Sequence, residues 1–214
     1  MGFSFRFCVG LQLLVLLGVW SWSNVATARS RDRITVLITV VVNDGADVSR
    51  LILYQGETEA GRILGAAGIQ IQWMNCSGDT GVVEEACRVV ARGDQLVLHI
   101  VPTGKTSTDS VFGMAFLAQD GSGKYCDVFF DRVEEAHRRY GADRSQLLGT
   151  VVAHELGHLL LGSHAHSQVG IMAPVWEEES LRNMGMGHLL FTREQSSLMK
   201  MRVSNEDLRL AGLR

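Results

Sequence analysis

The run from Ile34 to Val42 (ITVLITVVV) is β-branched and of strand length, and it ends on Asn43-Asp44-Gly45, the pattern of a strand closed by a turn. Asp47 or Ser49 can cap a following helix whose apolar positions include Leu51, Ile52, Ile63 and Leu64, stopping near Gly68. Ile69 to Trp73 alternates as IQIQW, which predicts a half-buried strand. The connection that opens at Cys76 carries a short helix over Val82 to Arg92. Gln95 to Val101 is a third strand, ended by Pro102, and a polar loop spans Thr103 to Ser110. Val111 to Ala118 and Tyr125 to Phe130 form a hairpin-like pair around Gln119-Asp120-Gly121-Ser122-Gly123. A charged helix over Arg132 to Tyr140, an apolar helix over Ser145 to Leu161 and a mixed helix from about Thr192 complete the chain. This order predicts one α/β domain with helices packed on a mixed sheet.

Composition narrows the class. The 214 residues are 46% hydrophobic with a formal charge of −3, too apolar and too weakly charged for a disordered chain. The acidic balance excludes a general nucleic-acid binder, which needs a basic face. Ahead of the first strand, Arg6 is the only charge before Arg29, Phe7 to Trp20 is mostly apolar, and Ala26-Thr27-Ala28 is an A-x-A pattern. The apolar run is shorter than the ~20 residues that span a bilayer. A signal peptide over 1–28 is therefore expected, with a single domain over 29–214, an extracytoplasmic location and no stable membrane span. An exported chain can hold a disulfide, and Cys76 with Cys87 would close a short loop, leaving Cys126 as a small buried hydrophobe.

Histidine is the concentrated chemistry. Residues 154–158 read His-Glu-Leu-Gly-His, and His164 and His166 follow shortly after. On a helix, His154 and His158 lie one turn apart on one face, so both imidazoles can reach one metal ion. Glu155 lies about 100° around the axis, near enough to serve water without coordinating the metal. Leu148, Val152, Leu156 and Leu159 fall on the opposite side, where they would pack on the sheet and leave the ligand face to a cleft. Neutral imidazoles suit Zn²⁺, and three protein ligands leave the fourth position for water. Gly162 can stop the helix in a left-handed turn, and Gly170-Ile171-Met172-Ala173-Pro174 is a compact turn downstream.

With these residues the sequence resembles the metzincin clan of zinc metallopeptidases, the matrixin branch most nearly. On that pattern His154, Glu155, His158, His164, Met172 and Pro174 fall on matching positions. One departure stands out: the family's glycine is expected where this chain has Leu161, and it comes one residue later, at Gly162. The stretch also resembles predicted secreted bacterial proteins reading HELGHLLLG…HS..GIM, in which His166 is the match. Direct spacing points to His164 as third ligand. The second resemblance points to His166, as does the longer return loop that a lengthened helix calls for.

The resemblance implies an α+β zincin-like fold: a mixed, mostly parallel twisted sheet of about five strands, with an antiparallel edge strand, backed by helices that include the one bearing His154. It implies Zn²⁺ as cofactor, Glu155 as general base and then acid, and Met172 as support beneath the metal. Val111 to Ala118 would be the edge strand that pairs with an extended peptide or protein substrate, small Gly113 and Ala115 permitting close approach. The family's latency pro-segment is expected to be missing. Trp176 stands where matrixins often carry an aromatic residue, and no tyrosine is near enough in sequence to be assigned as a transition-state donor. The expected activity is that of a secreted, monomeric zinc endopeptidase. The other reading is a non-catalytic zinc-binding or protein-interaction module on the same fold. His99, His137 and His188 read as ordinary residues and Glu177 to Glu179 as a solvated face. Gly104-Lys105-Thr106 lacks the glycine five positions earlier that a phosphate loop needs.

Overall fold

The computed structural model describes residues 36–76, 87, 95–104 and 111–210, with side chains as far as residue 205. The expected signal segment over 1–28, most of the helix over 82–92 and most of the loop over 103–110 lie outside the described residues. Strands β1 (Val36–Asp44), β2 (Ile69–Asn75), β3 (Leu96–Val101), β4 (Gly113–Phe116) and β5 (Tyr125–Phe129) form one sheet in the order β2-β1-β3-β5-β4. The pairings β1–β2, β1–β3 and β3–β5 are parallel, and β4 runs antiparallel to β5 at the sheet's edge. The fold class expected from the sequence is the one observed. The hairpin is tighter than its pattern, because Asp120 caps Ser122 and Ala118 N–H bonds to Ser122 O, which turns the chain early.

Side-chain alternation points one face of the sheet at the helices. Leu98 and Ile100 of β3, Cys126 and Val128 of β5, and Gly113 and Ala115 of β4 are buried, while Met114, Phe116 and Tyr125 between them are exposed. Against that buried face lie α1 (Arg50–Ala66) and α3 (Arg144–Leu161), with α2 (Phe130–Tyr140), α4 (Glu178–Gly185) and α5 (Arg193–Leu210) around α3. Ser49 caps α1, its Oγ accepting from Ile52 N–H, and Thr192 with Gln195 forms a reciprocal capping box at the start of α5. Helices α1 and α3 cross at Gly56 and Gly149, where a Cβ on Gly149 would stand 2.5 Å from Gly56 O. Two glycines there let the backbones approach.

Helix α3 departs from its amphipathic reading. Apart from Gln146, every residue from Ser145 to Leu161 is buried, so no side of the helix is left to solvent. Contacts with α1, α2, α4, α5, β4 and β5 enclose it, and the ligand-bearing turn faces an internal cleft. Helix α4 has no signature in the sequence pattern. Only Met184 of its residues is buried, too little to write a helical period into the sequence. Glu177 to Glu179 at its start are exposed, as expected. Cys76 and Cys87 are joined by a disulfide with Cα atoms 5.8 Å apart, and Cys126 is a free, buried thiol. Among the described residues no helix is long and apolar enough to cross a membrane.

Candidate metal centre

Asp143 starts α3 by accepting from Gln146 N–H, and the helix then carries His154 and His158 one turn apart. Their Nε2 atoms stand 3.1 Å from each other. His154 Nδ1 lies 2.8 Å from Ile171 O, and His158 Nδ1 lies 2.8 Å from Ser163 O. A carbonyl can only accept, so each ring carries its proton on Nδ1 and turns an Nε2 lone pair toward the same space. Burial holds His154 down to about 4, with the neighbouring His158 and His166 adding to the effect, and burial also lowers His158. Both rings are therefore neutral at pH 7, the state a metal ligand needs.

The chain leaves α3 through Gly162, whose φ of 63° and ψ of 34° place it in the left-handed region. A Cβ there would collide with the Arg202 guanidinium, which donates to Gly121 O. The longer helix that Leu161 makes is thus closed by a residue only glycine serves well. Beyond the turn, Ser167 N–H bonds to Met172 O, and Ser167 Oγ accepts from Gln195 Nε2 on α5. That anchorage sits next to His166. The His166 ring stacks against His154 at 5.4 Å between centroids and meets His158 edge-on at 5.0 Å. Nitrogens of His154, His158 and His166 lie within 4.8 Å of one another, a group that can hold a metal ion. His164 lines the same cleft but lies outside that group, its ring 6.1 Å from His158.

Beneath the histidines, Met172 is fully buried. A Cβ on Gly157 would stand 2.8 Å from Met172 Sδ and 2.6 Å from the Phe191 ring, so this glycine admits both side chains against the helix. Ile171 O accepts from Trp176 Nε1–H at 3.1 Å as well as from His154, which ties the methionine turn, the tryptophan and the first histidine together. The sequence had marked Trp176 only through its position.

Glu155 is 5% exposed. A Cβ on Gly113 would stand 2.7 Å from Glu155 Cγ and 2.6 Å from Asp127 O, so β4 passes directly over the carboxylate. Gly113 makes room for Glu155 itself, a reason other than the substrate approach anticipated for it. Burial, and after it the Asp127 charge, pushes Glu155 up to about 8. Ala115 is buried two residues along the same edge.

A cleft of about 490 Å³ runs over His154, Glu155 and His158 between β4 and residues 173–176. The Phe112 and Trp176 rings, 5.9 Å apart between centroids, pack against each other in its lining. Arg132, Glu135, Arg139 and Tyr140 of α2 line it as well. None of these was singled out in the sequence, because nothing local marks residues brought in from a preceding helix. Tyr140 in particular reaches the cleft despite its distance along the chain. His99 pairs with Asp127 at 3.3 Å, His137 Nδ1–H donates to Ala142 O, and His188 is exposed; none belongs to the cluster.

No protein-family model matches this chain, and no curated protein does. Among solved structures it is similar to archaemetzincin from Methanopyrus kandleri, at 17% identity over 81% of this chain and 98% of that one, with a TM-score of 0.47. It is similar also to a zinc-dependent peptidase from Methanocorpusculum labreanum, at 18% identity over 76% and 99% of the two chains (TM-score 0.47). A third likeness is to metalloproteinase-II from Bacteroides fragilis, at 10% identity over 78% of this chain and 53% of that one (TM-score 0.48).

Proposed function

We propose that the protein is an exported zinc-dependent endopeptidase, in which His154, His158 and His166 hold Zn²⁺ and Glu155 is the general base. The observation that carries this reading is the convergence of three histidine nitrogens within 4.8 Å, two of them preset for coordination by Nδ1–H bonds to carbonyls, beside a buried carboxyl group. The donor set fits zinc, which takes neutral imidazoles and in catalytic sites keeps a position open. Bound zinc supplies Lewis acidity, polarising a substrate carbonyl and acidifying water.

The chain's own residues supply the rest. Glu155 takes the proton of the attacking water on a carboxylate oxygen and passes it to the departing amine nitrogen. Its raised pKa puts it near neutral pH, where proton exchange in both directions is easiest, and positive charge held by the histidines favours its ionised form. Strand β4 has no outer neighbour among the described residues, so an extended peptide can add to that edge with its backbone over Glu155. Phe112 and Trp176 would cover the bound segment and exclude water. Met172 packs the floor. The signal peptide over 1–28 and the extracytoplasmic location belong to this reading, and they agree with the Cys76–Cys87 disulfide.

The test is hydrolysis of unfolded protein and peptide substrates by the full chain, with and without a chelator, beside Glu155→Gln. Hydrolysis should vanish with the chelator, return with zinc, and fall by about 10²-fold or more in the variant at unchanged zinc content. Zinc retained without any Glu155-dependent hydrolysis would establish a non-catalytic zinc module instead.

A further inference from the structure

We infer that the α2 lining of the cleft selects an acidic side chain, through Arg139. The cleft lining has an apolar part and a charged part. Phe112, Ala136, Val151, Trp176 and Leu181 are apolar, and Arg132, Glu135 and Arg139 of α2 are charged. Glu135 is spoken for, its carboxylate lying 3.5 Å from Arg132 Nη1. Arg139 has no carboxylate partner among the described residues. Its guanidinium lies 5.5 Å from the centroid of the Tyr140 ring, which orients it by stacking and leaves its N–H fork available. Arg132 lies 3.5 Å from Glu135 and 4.0 Å from Asp131, so Arg139 is the positive charge that this part of the lining offers a ligand. A side chain with an apolar stem and a terminal carboxylate matches both halves of the surface, whereas a lysine would meet like charge. Arg139 is exposed, so water and salt screen it, and the preference is modest.

The inference takes its substrate, a peptide, from the endopeptidase reading, but its charge selectivity from the cleft alone. The experiment separates the two. Peptides that differ only in Glu, Gln, Leu or Lys at the first residue on either side of the cleaved bond are titrated against the zinc-loaded Glu155→Gln chain by fluorescence anisotropy. The same series is then offered to the wild-type chain for cleavage. At one of the two positions Glu should exceed Lys by about two- to fivefold in affinity and in kcat/KM, the margin shrinking as salt rises. Arg139→Glu should invert that ratio and Arg139→Gln should flatten it, with melting temperatures checked to show that both variants fold. Equal affinity across the series, a preference for Leu that ignores charge, no measurable binding, or a ratio unmoved in Arg139→Glu would each overturn the inference. Charge-selective binding without cleavage would leave it standing and sink the peptidase reading. Cleavage without charge selectivity would do the reverse.

Discussion

Glu155 occupies the space that a side chain on Gly113 would need: a Cβ there would stand 2.7 Å from Glu155 Cγ. The strand that offers its edge and the helix that carries the carboxylate are therefore fitted to each other at a single residue. Gly113→Ala must displace the carboxylate and the β5 backbone together, or β4 itself, since the added Cβ also falls 2.6 Å from Asp127 O. Peptidase activity should drop at least about tenfold and stability by about 1–3 kcal/mol, with zinc content unchanged. Urea unfolding, zinc analysis and peptide hydrolysis check the three parts. Full activity in this variant would mean that β4 does not pass over the reacting groups.

The histidine cluster makes a ranked prediction. His154→Ala, His158→Ala and His166→Ala should each reduce bound zinc well below one ion per chain after dialysis, and His164→Ala should retain it. Elemental analysis of the purified variants reads the result directly. If His164→Ala loses zinc while His166→Ala keeps it, the third position passes to His164.

Met172 has no solvent exposure and lies under Gly157, between the two helical histidines in sequence. Met172→Ala should cost about 2–5 kcal/mol by leaving a cavity. Met172→Leu, which conserves volume, should cost less than about 1.5 kcal/mol. Both variants should bind one zinc, because the methionine supports the ligands by packing alone. Denaturant midpoints that do not separate the two substitutions would remove Met172 from the floor of the site.

The metal-free protein should show opposed pH dependences. His154 is held down to about 4 from 6.5, so between those values the unfolded chain binds more protons and stability falls as pH drops. Glu155 is raised from 4.5 to about 8, so the folded chain keeps a proton that the unfolded one releases, and stability falls as pH rises through that range. The two effects offset each other between about 4.5 and 6.5, and above that window the Glu155 slope stands alone. Relative to wild type, Glu155→Gln should gain stability with rising pH, levelling off above about 8 at a difference on the order of a few kcal/mol. Unfolding in chelator at several pH values measures it. A difference that stays constant from pH 5 to 8 would contradict the assignment of the raised group.

What could be read directly from the sequence was whatever a short stretch of chain can enforce by itself. The 3.6-residue period puts His154 and His158 on one helical face wherever the helix lies, and the runs on either side of Gln119-Asp120-Gly121-Ser122-Gly123 write a hairpin-like pair. The β-branched run of β1 reads as a strand because branched side chains fit the pleated surface of a sheet. Tertiary structure decided the rest. Two histidines of equal chemistry follow Gly162, and the bonds of Ser167 to Met172 and Gln195 are what carry His166, rather than His164, up to the helical pair. The burial of α3 on every side, the space Gly113 leaves for Glu155 and the arginines of α2 in the cleft lining have the same origin. Each depends on residues far apart in the chain meeting across packed surfaces, and no local pattern records such a meeting.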